Sequence, residues 1–523
     1  MPAGCESPGL RSSRRRIDWR DVDSGGHGVN GADEVLRPGR EERVALLGDW
    51  GDLTYGALNA RVNQWGHGLR ERGVTRGDRV VLSLDDDPAL VAAYLGAMRI
   101  GAVPVAVNPR WSADELAFAL DDSEARCVVV DPASEHTARE AMAGLARRPT
   151  MIVTDADGIA DRPDNLDSAV MATDDMAYWI YTSGTTGAPK AAVHRHGGLR
   201  VADRVMRQVL GLGPDDRLYA SSRLFFAYSL GHCLFGALQL GASTVLDARW
   251  PRPAEVAELV ARHRPTALFS VPTFYRALLE HGVGDMGGVR RFVSAGERMP
   301  EPLFARWREA AGRPIVEGIG TTETALMFLA NPPDATRAGS AGRPTPGAQV
   351  KLTDEAGRPV TEADAPGHLW VAMETLCAGY WKRPEATAAA FGGGWFRTGD
   401  VFRFDADGYG FHEGRSDDML KIAGQWVNPV EIEDCVLAAL PEIEVALVAA
   451  ADSDGLERTV LFVTGAEQDR QADLTARIHD AVAARLGRHK SPHAVRYIDA
   501  LPRTATGKIR RATLRAEAAE LSR

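Results

Sequence analysis

From about residue 53 the chain alternates between two rhythms. Short apolar, β-branched runs recur at residues 79–84, 103–107, 127–131 and 151–155, and Ala-rich stretches with helical spacing lie between them, as at residues 88–99 and 114–120. The alternation returns at residues 243–247, 267–272, 291–296 and 314–320. Runs this apolar lack a polar face. They predict strands buried on both sides, hence largely parallel sheets flanked by helices. Ligands of such sheets sit in the loops at the carboxyl ends of strands, so the loops after these runs are where chemistry is expected.

The pattern changes near residue 400. Residues 405–409 and 411–418 are dense in Gly, Asp and charge, the composition of a hairpin and a linker. Beyond them lie two strand-like runs, residues 444–450 and 459–464, and a helical stretch over residues 473–486. The expected architecture is α/β: a large N-terminal domain of parallel-rich sheets flanked by helices, residues 35–416, and a small α+β C-terminal domain, residues 417–523. Residues 1–34, rich in Gly, Ser, Arg and Asp, are expected to form a loose tail. Arg11, Arg14, Arg15 and Arg16 are followed by Asp18, Arg20 and Asp21 instead of an apolar stretch, which argues against an export signal.

Composition narrows the picture. At 523 residues the chain exceeds one ordinary core. Its 61 basic and 71 acidic residues leave a net charge of −10, which argues against a general nucleic-acid binder. No apolar run approaches the ~20 residues of a membrane helix, so no membrane partner is expected. The five cysteines, Cys5, Cys127, Cys233, Cys377 and Cys435, are odd in number and scattered. They offer neither a disulfide framework nor a paired metal spacing, and a reducing cytoplasm is the simplest reading.

Four motifs carry candidate chemistry. Tyr181-Thr-Ser-Gly-Thr-Thr-Gly-Ala-Pro-Lys190 follows the apolar run 176–180. Its glycines let backbone N–H groups approach an anion, its hydroxyls add donors, and Lys190 adds charge: a phosphate-cradling loop, though not of the Walker pattern. Glu317-Gly-Ile-Gly-Thr-Thr-Glu323 also follows an apolar run, and there Thr322 and Glu323 offer hard oxygens suited to Mg²⁺ beside phosphate. A plain strand-to-helix turn would look similar. Trp395-Phe-Arg-Thr-Gly-Asp400 and Gly414-Arg415 offer an acid and an arginine that either grip ribose hydroxyls or are solvated turn residues. Finally, Leu501-Pro-Arg-Thr-Ala-Thr-Gly-Lys508 places a lysine after a glycine near the chain end, which alone reads as surface.

Taken together and in this order, the four resemble the adenylate-forming enzymes, the family of acyl-CoA synthetases, adenylation domains and luciferases. The resemblance runs from about Leu53 to Arg515 and is nearest the benzoate-CoA ligase group, through Leu224-Phe-Phe-Ala-Tyr-Ser-Leu-Gly231 and residues 318–328 and 414–427. It implies ATP-dependent activation of a carboxylic acid to an acyl-adenylate, with Mg²⁺, and then transfer to coenzyme A. On this resemblance Thr182, Ser183, Gly184, Thr185, Thr186, Gly187 and Lys190 hold the β- and γ-phosphates. Gly296, Glu297, Glu317, Gly318, Ile319 and Thr321 line the nucleotide pocket. Thr322 bonds the α-phosphate and Glu323 ligates Mg²⁺. Asp400 and Arg415 hold the ribose, and Lys508 bridges the substrate carboxylate and the α-phosphate. The small domain is implied to be mobile, turning about Asp417 to bring Lys421, Gly424 and Trp426 beside the pantetheine arm. Phe226, Ala227, Tyr228, Gly320 and Leu326 are implied to form the acid pocket. No covalent enzyme intermediate is required, and His194 and His196 are read as structural.

Three positions depart from the family pattern. Ala191 replaces the usual Gly after the loop lysine, His368 replaces a usual Glu, and Leu326 stands where the benzoate ligases carry His. The pocket is therefore expected to suit an aryl or other bulky hydrophobic acid, with Tyr228 as its one phenol. Loading of a separate carrier protein, retention of a single half-reaction, and a non-catalytic scaffold are the competing readings. A homodimer is the assembly the sequence allows.

Overall fold

The computed structural model describes residues 28–182, 189–416, 420–422, 425–427, 429–440, 443–451, 457–465, 468–503 and 509–521. Ser183, Gly184, Thr185, Thr186, Gly187, Asp417, Gly424 and Lys508, all expected site residues, lie outside these residues.

The apolar runs form two parallel-cored sheets. In the first, six strands run parallel in the order Ile315–Gly320, Arg291–Ser294, Ala267–Ser270, Arg217–Ala220, Ser243–Val245 and Val44–Gly48. Antiparallel strands Met327–Ala330 and Gly51–Thr54 flank them. In the second, Thr150–Val153, Cys127–Val130, Arg79–Ser83, Val103–Ala106 and Met176–Thr182 run parallel, and Lys190–Arg195 returns antiparallel. Helix Pro88–Arg99 starts where Asp87 caps the Leu90 N–H at 2.9 Å and Pro88 occupies the first turn. It is buried almost throughout because one core joins it to helix Tyr55–Glu71 and to both sheets, through Leu46 on one side and Val80 and Leu82 on the other.

The hairpin expected near residue 400 is present, residues 405–409 joining Trp395–Phe404 to Gly410–Arg415, and the sheet it belongs to starts well before it. A third sheet, antiparallel, begins at Gln349–Thr353 and continues through Gly367–Ala372, Trp395–Phe404 and Gly410–Arg415. Its strands alternate buried and open positions, as in Trp395–Phe404, because only one face packs on the rest of the protein.

The loose tail expected over residues 1–34 is corrected over its last residues. Val29 bridges Met171, and Asn30 caps helix Gly31–Val35 while its amide donates to the carbonyls of Met98, Arg99 and Ala169. Gly31, Ala32 and Val35 are buried, so this segment is part of the large domain.

The small domain pairs Glu444–Ala451 antiparallel with Glu457–Thr464, which runs parallel to Ala494–Tyr497. Helices Pro429–Ala439 and Gln471–Arg485 pack around Leu447, Leu461 and Val463, and helix Arg511–Leu521 contributes Leu514 to a second cluster with Val448 and Phe462.

Candidate active site

Four neighbouring parallel strands of the first sheet end together, and three of them hand on to segments carrying expected site residues. Arg217–Ala220 leads to Phe226, Ala227 and Tyr228; Arg291–Ser294 leads to Gly296 and Glu297; Ile315–Gly320 leads to the turn of Thr321, Thr322 and Glu323. The fourth strand, Ala267–Ser270, leads to Thr273, whose hydroxyl donates to both carboxylate oxygens of Glu297 at 3.3 and 3.2 Å. Parallel topology thus gathers residues that lie about 100 positions apart.

Glycine at 320 has a specific cause. A Cβ there would stand 2.8 Å from the Leu326 carbonyl oxygen, because the antiparallel strand Met327–Ala330 crosses close by. At Gly320 the close neighbour is this returning backbone.

The Thr321–Leu326 turn is held from several sides. Tyr380 donates its hydroxyl to Glu323 Oε1 at 2.6 Å, and the Cys377 N–H donates to the Glu323 carbonyl at 2.8 Å. Thr375 Oγ1 donates to the Thr324 carbonyl at 2.6 Å. The His194 ring, stacked on Tyr178 with centroids 4.7 Å apart, donates Nε2–H to the Thr322 carbonyl at 2.9 Å. Burial holds His194 down to about 4, so it serves as a neutral donor. A phenol bond to a carboxylate contributes about 1.5–3 kcal/mol and fixes which way the carboxylate faces. Lys190 Nζ lies 5.5 Å over the Tyr380 ring, which links the phosphate-loop hairpin to the same turn.

Thr182 and Lys190 are cross-strand partners at the end of that hairpin from which the connecting loop leaves. Ala191 is fully buried and pairs with Tyr181, and its carbonyl accepts from the Trp381 N–H at 2.9 Å. Its methyl therefore packs in the core, with Trp179 and Val193. His368 sits at partial burial on the antiparallel strand Gly367–Ala372.

Asp400 and Arg415 are cross-strand neighbours, with Arg415 Nη1 3.2 Å from Asp400 Oδ1. His412 Nε2 donates to the same oxygen at 3.3 Å. Burial alone would push the Asp400 carboxyl up; the His412 bond, aided by the Arg415 charge and by Thr398, overrides it and holds the group below its ordinary value. Gly399, at φ +78°, is required because a Cβ there would meet the Arg415 guanidinium at 2.8 Å.

Glu317 is enclosed. Its Oε1 accepts from the Met299 N–H at 2.9 Å, whereas Oε2 is buried without a partner. Burial pushes its carboxyl up to about 8, against the opposing Met299 bond and Arg298 charge. Gly318 follows it in the strand, buried, and Ile319 is half-exposed at the strand end.

In the expected acid pocket, Phe226 packs on Phe225 with centroids 4.2 Å apart, and Ala227 opens a helical turn. The Tyr228 hydroxyl donates to the Val293 carbonyl at 3.1 Å. Leu326 is buried among core residues that include Met327 and Cys233. Lys421 and Trp426 are register partners in the two-stranded ribbon of Leu420–Ile422 and Gln425–Val427.

The donor set suits one hard cation beside phosphate. Among the described residues no group of three or more His, Cys, Asp or Glu gathers. A magnesium ion here would rest on the single carboxylate of Glu323 and on oxygens brought by the nucleotide. Also among the described residues, no helix is long and apolar enough to cross a membrane.

Sequence reasoning missed Tyr380, Thr375 and Thr273, which lie far along the chain from the residues they hold, and His412, which shares the Asp400–Arg415 hairpin but carries no spacing signal. His194 was set aside as structural, and its contact with Thr322 places it at the site's edge.

The profile of the AMP-binding enzymes matches residues 36–381, and that of the AMP-binding enzyme C-terminal domain matches residues 431–508. A 3-hydroxybenzoate–CoA ligase of Aromatoleum sp. (strain CIB) is 44% identical over 93% of the chain and 96% of its own length. A 3-hydroxybenzoate–CoA/4-hydroxybenzoate–CoA ligase of Thauera aromatica is 42% identical over 93% and 97%. The crystal structure of an anthranilate CoA ligase in complex with anthranoyl-AMP superposes with a TM-score of 0.88 at 33% identity, covering 94% of this chain and 98% of that one.

Proposed function

The chain belongs to the AMP-binding enzymes, and we propose from that premise that it activates an aryl or other bulky hydrophobic carboxylic acid with ATP and passes the acyl group to coenzyme A. It is an AMP-forming acid–thiol ligase. In the first step a carboxylate oxygen attacks the α-phosphorus and pyrophosphate leaves. In the second the thiol sulfur attacks the acyl carbonyl carbon, AMP leaves, and the thiol proton is released.

Both reactants of the first step are anions, so catalysis consists of charge compensation and in-line positioning. Thr182, Lys190 and the hydroxyls and backbone of residues 183–187 take the β- and γ-phosphates. Thr322 takes the α-phosphate, and Asp400, beside Arg415, takes the ribose. Lys508 bridges the carboxylate and the α-phosphate, where charge develops. Magnesium held at Glu323 would supply further neutralisation of phosphate charge. Gly296, Glu297, Glu317, Gly318, Ile319 and Thr321 surround the base and its approach. After pyrophosphate leaves, the small domain turns about Asp417, withdraws Lys508 and presents Lys421, Gly424 and Trp426 to the pantetheine arm. Phe226, Ala227, Tyr228, Gly320 and Leu326 form the acid pocket. A cytoplasmic setting belongs to this reading, in keeping with Cys127, Cys233, Cys377 and Cys435 as free, buried thiols.

The observation that carries the reading is the Glu323 carboxylate, oriented by Tyr380 at the strand end beside the phosphate-loop hairpin. The test is a panel of substituted benzoates read by acid-dependent ATP–pyrophosphate exchange and, separately, by mass spectrometry of the CoA thioester. Exchange and thioester formation with an aryl acid are expected. Exchange with none of a broad acid panel would refute the activation step; exchange without a CoA thioester would refute the acceptor.

A further inference from the structure

The two domains meet through charge. Arg276, on the large-domain helix Pro272–His281, donates to Glu444 Oε1 at 2.8 Å, and Arg503 of the small domain donates to Oε2 of the same carboxylate at 3.1 Å. Asp434, on the small-domain helix Pro429–Ala439, pairs with Arg298, which lies in the loop between strand Arg291–Ser294 and helix Glu301–Ala311.

Arg298 differs from an ordinary surface partner. Its side chain is one quarter exposed, and its Nε–H is buried with no acceptor. Glu317 shows the complementary defect, a buried Oε2 with no donor. Each such open group carries a desolvation cost that no bond offsets. The two charges act on each other, and Asp434 acts on both, with Glu301 also facing the guanidinium. They are nonetheless not joined, because Asp434 holds the guanidinium.

We propose that Arg298 is a positioning residue linking the seat of the small domain to the base-binding end of the nucleotide site. With Asp434 docked, Arg298 is held off Glu317. When the small domain turns away, the guanidinium loses the hydrogen-bonded Asp434 charge, with Glu301 left as a facing charge, and swings to the open Glu317 oxygen, fixing that carboxylate toward the exocyclic amine of adenine. The inference rests on the reading above, in which Glu317 faces the base and the small domain moves. Its force is electrostatic: loss of the Asp434 charge and gain of a guanidinium both favour the ionised carboxylate, the form that accepts from an amine.

The test uses the full-length protein and MgATP titrated calorimetrically without acid substrate. The variants are Asp434→Asn, Arg298→Ala, Arg298→Lys and the double variant Arg298→Ala/Asp434→Asn, each checked for an unchanged melting transition. Asp434→Asn is expected to tighten ATP about fivefold, and Arg298→Ala to weaken it about tenfold. With Arg298 absent, Asp434→Asn is expected to have no further effect, and Arg298→Lys to recover only part of the affinity. Inosine triphosphate, which lacks the amine, is expected to show no response to Asp434→Asn. Equal Asp434→Asn effects with and without Arg298, or equal effects on both nucleotides, would overturn the proposal while leaving the ATP site intact. Wild-type protein that binds no ATP would overturn the nucleotide-site reading and this proposal with it.

Discussion

Replacing Glu317 by Gln should change the protein's stability by an amount that depends on pH in a calculable way. The carboxyl is fully enclosed, and burial is the largest cause that takes it from 4.5 to about 8; the Asp434 charge adds to it, and the Met299 N–H and Arg298 oppose it. Between those values the folded chain keeps a proton that the unfolded chain has lost. This contribution is complete below pH 4.5 and is lost as pH rises through 8. At 1.36 kcal/mol per pH unit, the folded state loses about 3 kcal/mol from this group between about pH 5.5 and about pH 8. Gln is neutral throughout and still offers an oxygen to the Met299 N–H, so the variant lacks this slope. With an unfolding entropy of about 2 cal/mol/K per residue over the ~390 residues of the large domain, 3 kcal/mol corresponds to about 4 °C. Scanning calorimetry of both proteins across that range should therefore show the variant gaining about 4 °C on the wild type as pH rises. Asp86, raised to about 7, and Asp87, raised to about 6, both by burial first, titrate alike in both proteins and cancel in the difference. A gap that stays constant with pH would refute the assignment of a proton to Glu317.

Other substitutions probe the remaining parts. Tyr380→Phe removes the donor to Glu323 and should raise the Mg²⁺ concentration needed for half-maximal pyrophosphate exchange about tenfold, with little change in melting temperature; an unaltered Mg²⁺ dependence would count against the role of Tyr380. Because the Tyr228 proton is committed to the Val293 carbonyl, its oxygen can only accept, so a hydroxybenzoate whose ring O–H reaches it should outcompete the matching methoxybenzoate about tenfold in kcat/KM, and Tyr228→Phe should erase the difference. Lys508→Ala should slow exchange at least about hundredfold yet leave thioester formation from a preformed acyl-adenylate within about threefold; parallel loss of both steps would contradict the division of labour.

Much of this organisation was legible from local pattern. The helix expected over residues 88–99 is the observed Pro88–Arg99, since its cap, its proline and its small apolar residues all agree. The buried parallel strands announced themselves as unbroken β-branched runs, as in Cys127–Val130. The third sheet did not. Its strands alternate polar and apolar residues and are broken by pairs as short as Pro359–Val360, so no single run stands out. The site divides in the same way. Asp400 and Arg415 could be paired because they sit in neighbouring motifs on the same hairpin. Tyr380 could not be tied to Glu323, because 57 residues separate them and the hydroxyl reaches the carboxylate through pairing of the segment around Tyr380 with the edge strand Lys190–Arg195 of the second sheet. His194 reads as an ordinary core histidine until the stacked Tyr178 and the Thr322 carbonyl are seen on its two sides.

The donors around Glu323 have a consequence for the reaction cycle. Tyr380, Thr375, Cys377 and His194 all belong to the large domain, and none depends on where the small domain sits. Glu317, at the other end of the proposed site, feels the charge of Asp434 in the small domain. Apart from the contact proposed for Lys508, a nucleotide lying between them would be gripped at its phosphates by a frame that stays still and read at its base by one that changes. Exchanging the small domain for that of a relative should therefore preserve the phosphate grip while resetting affinity for the base, so the two properties can be tuned, by evolution or by design, one at a time.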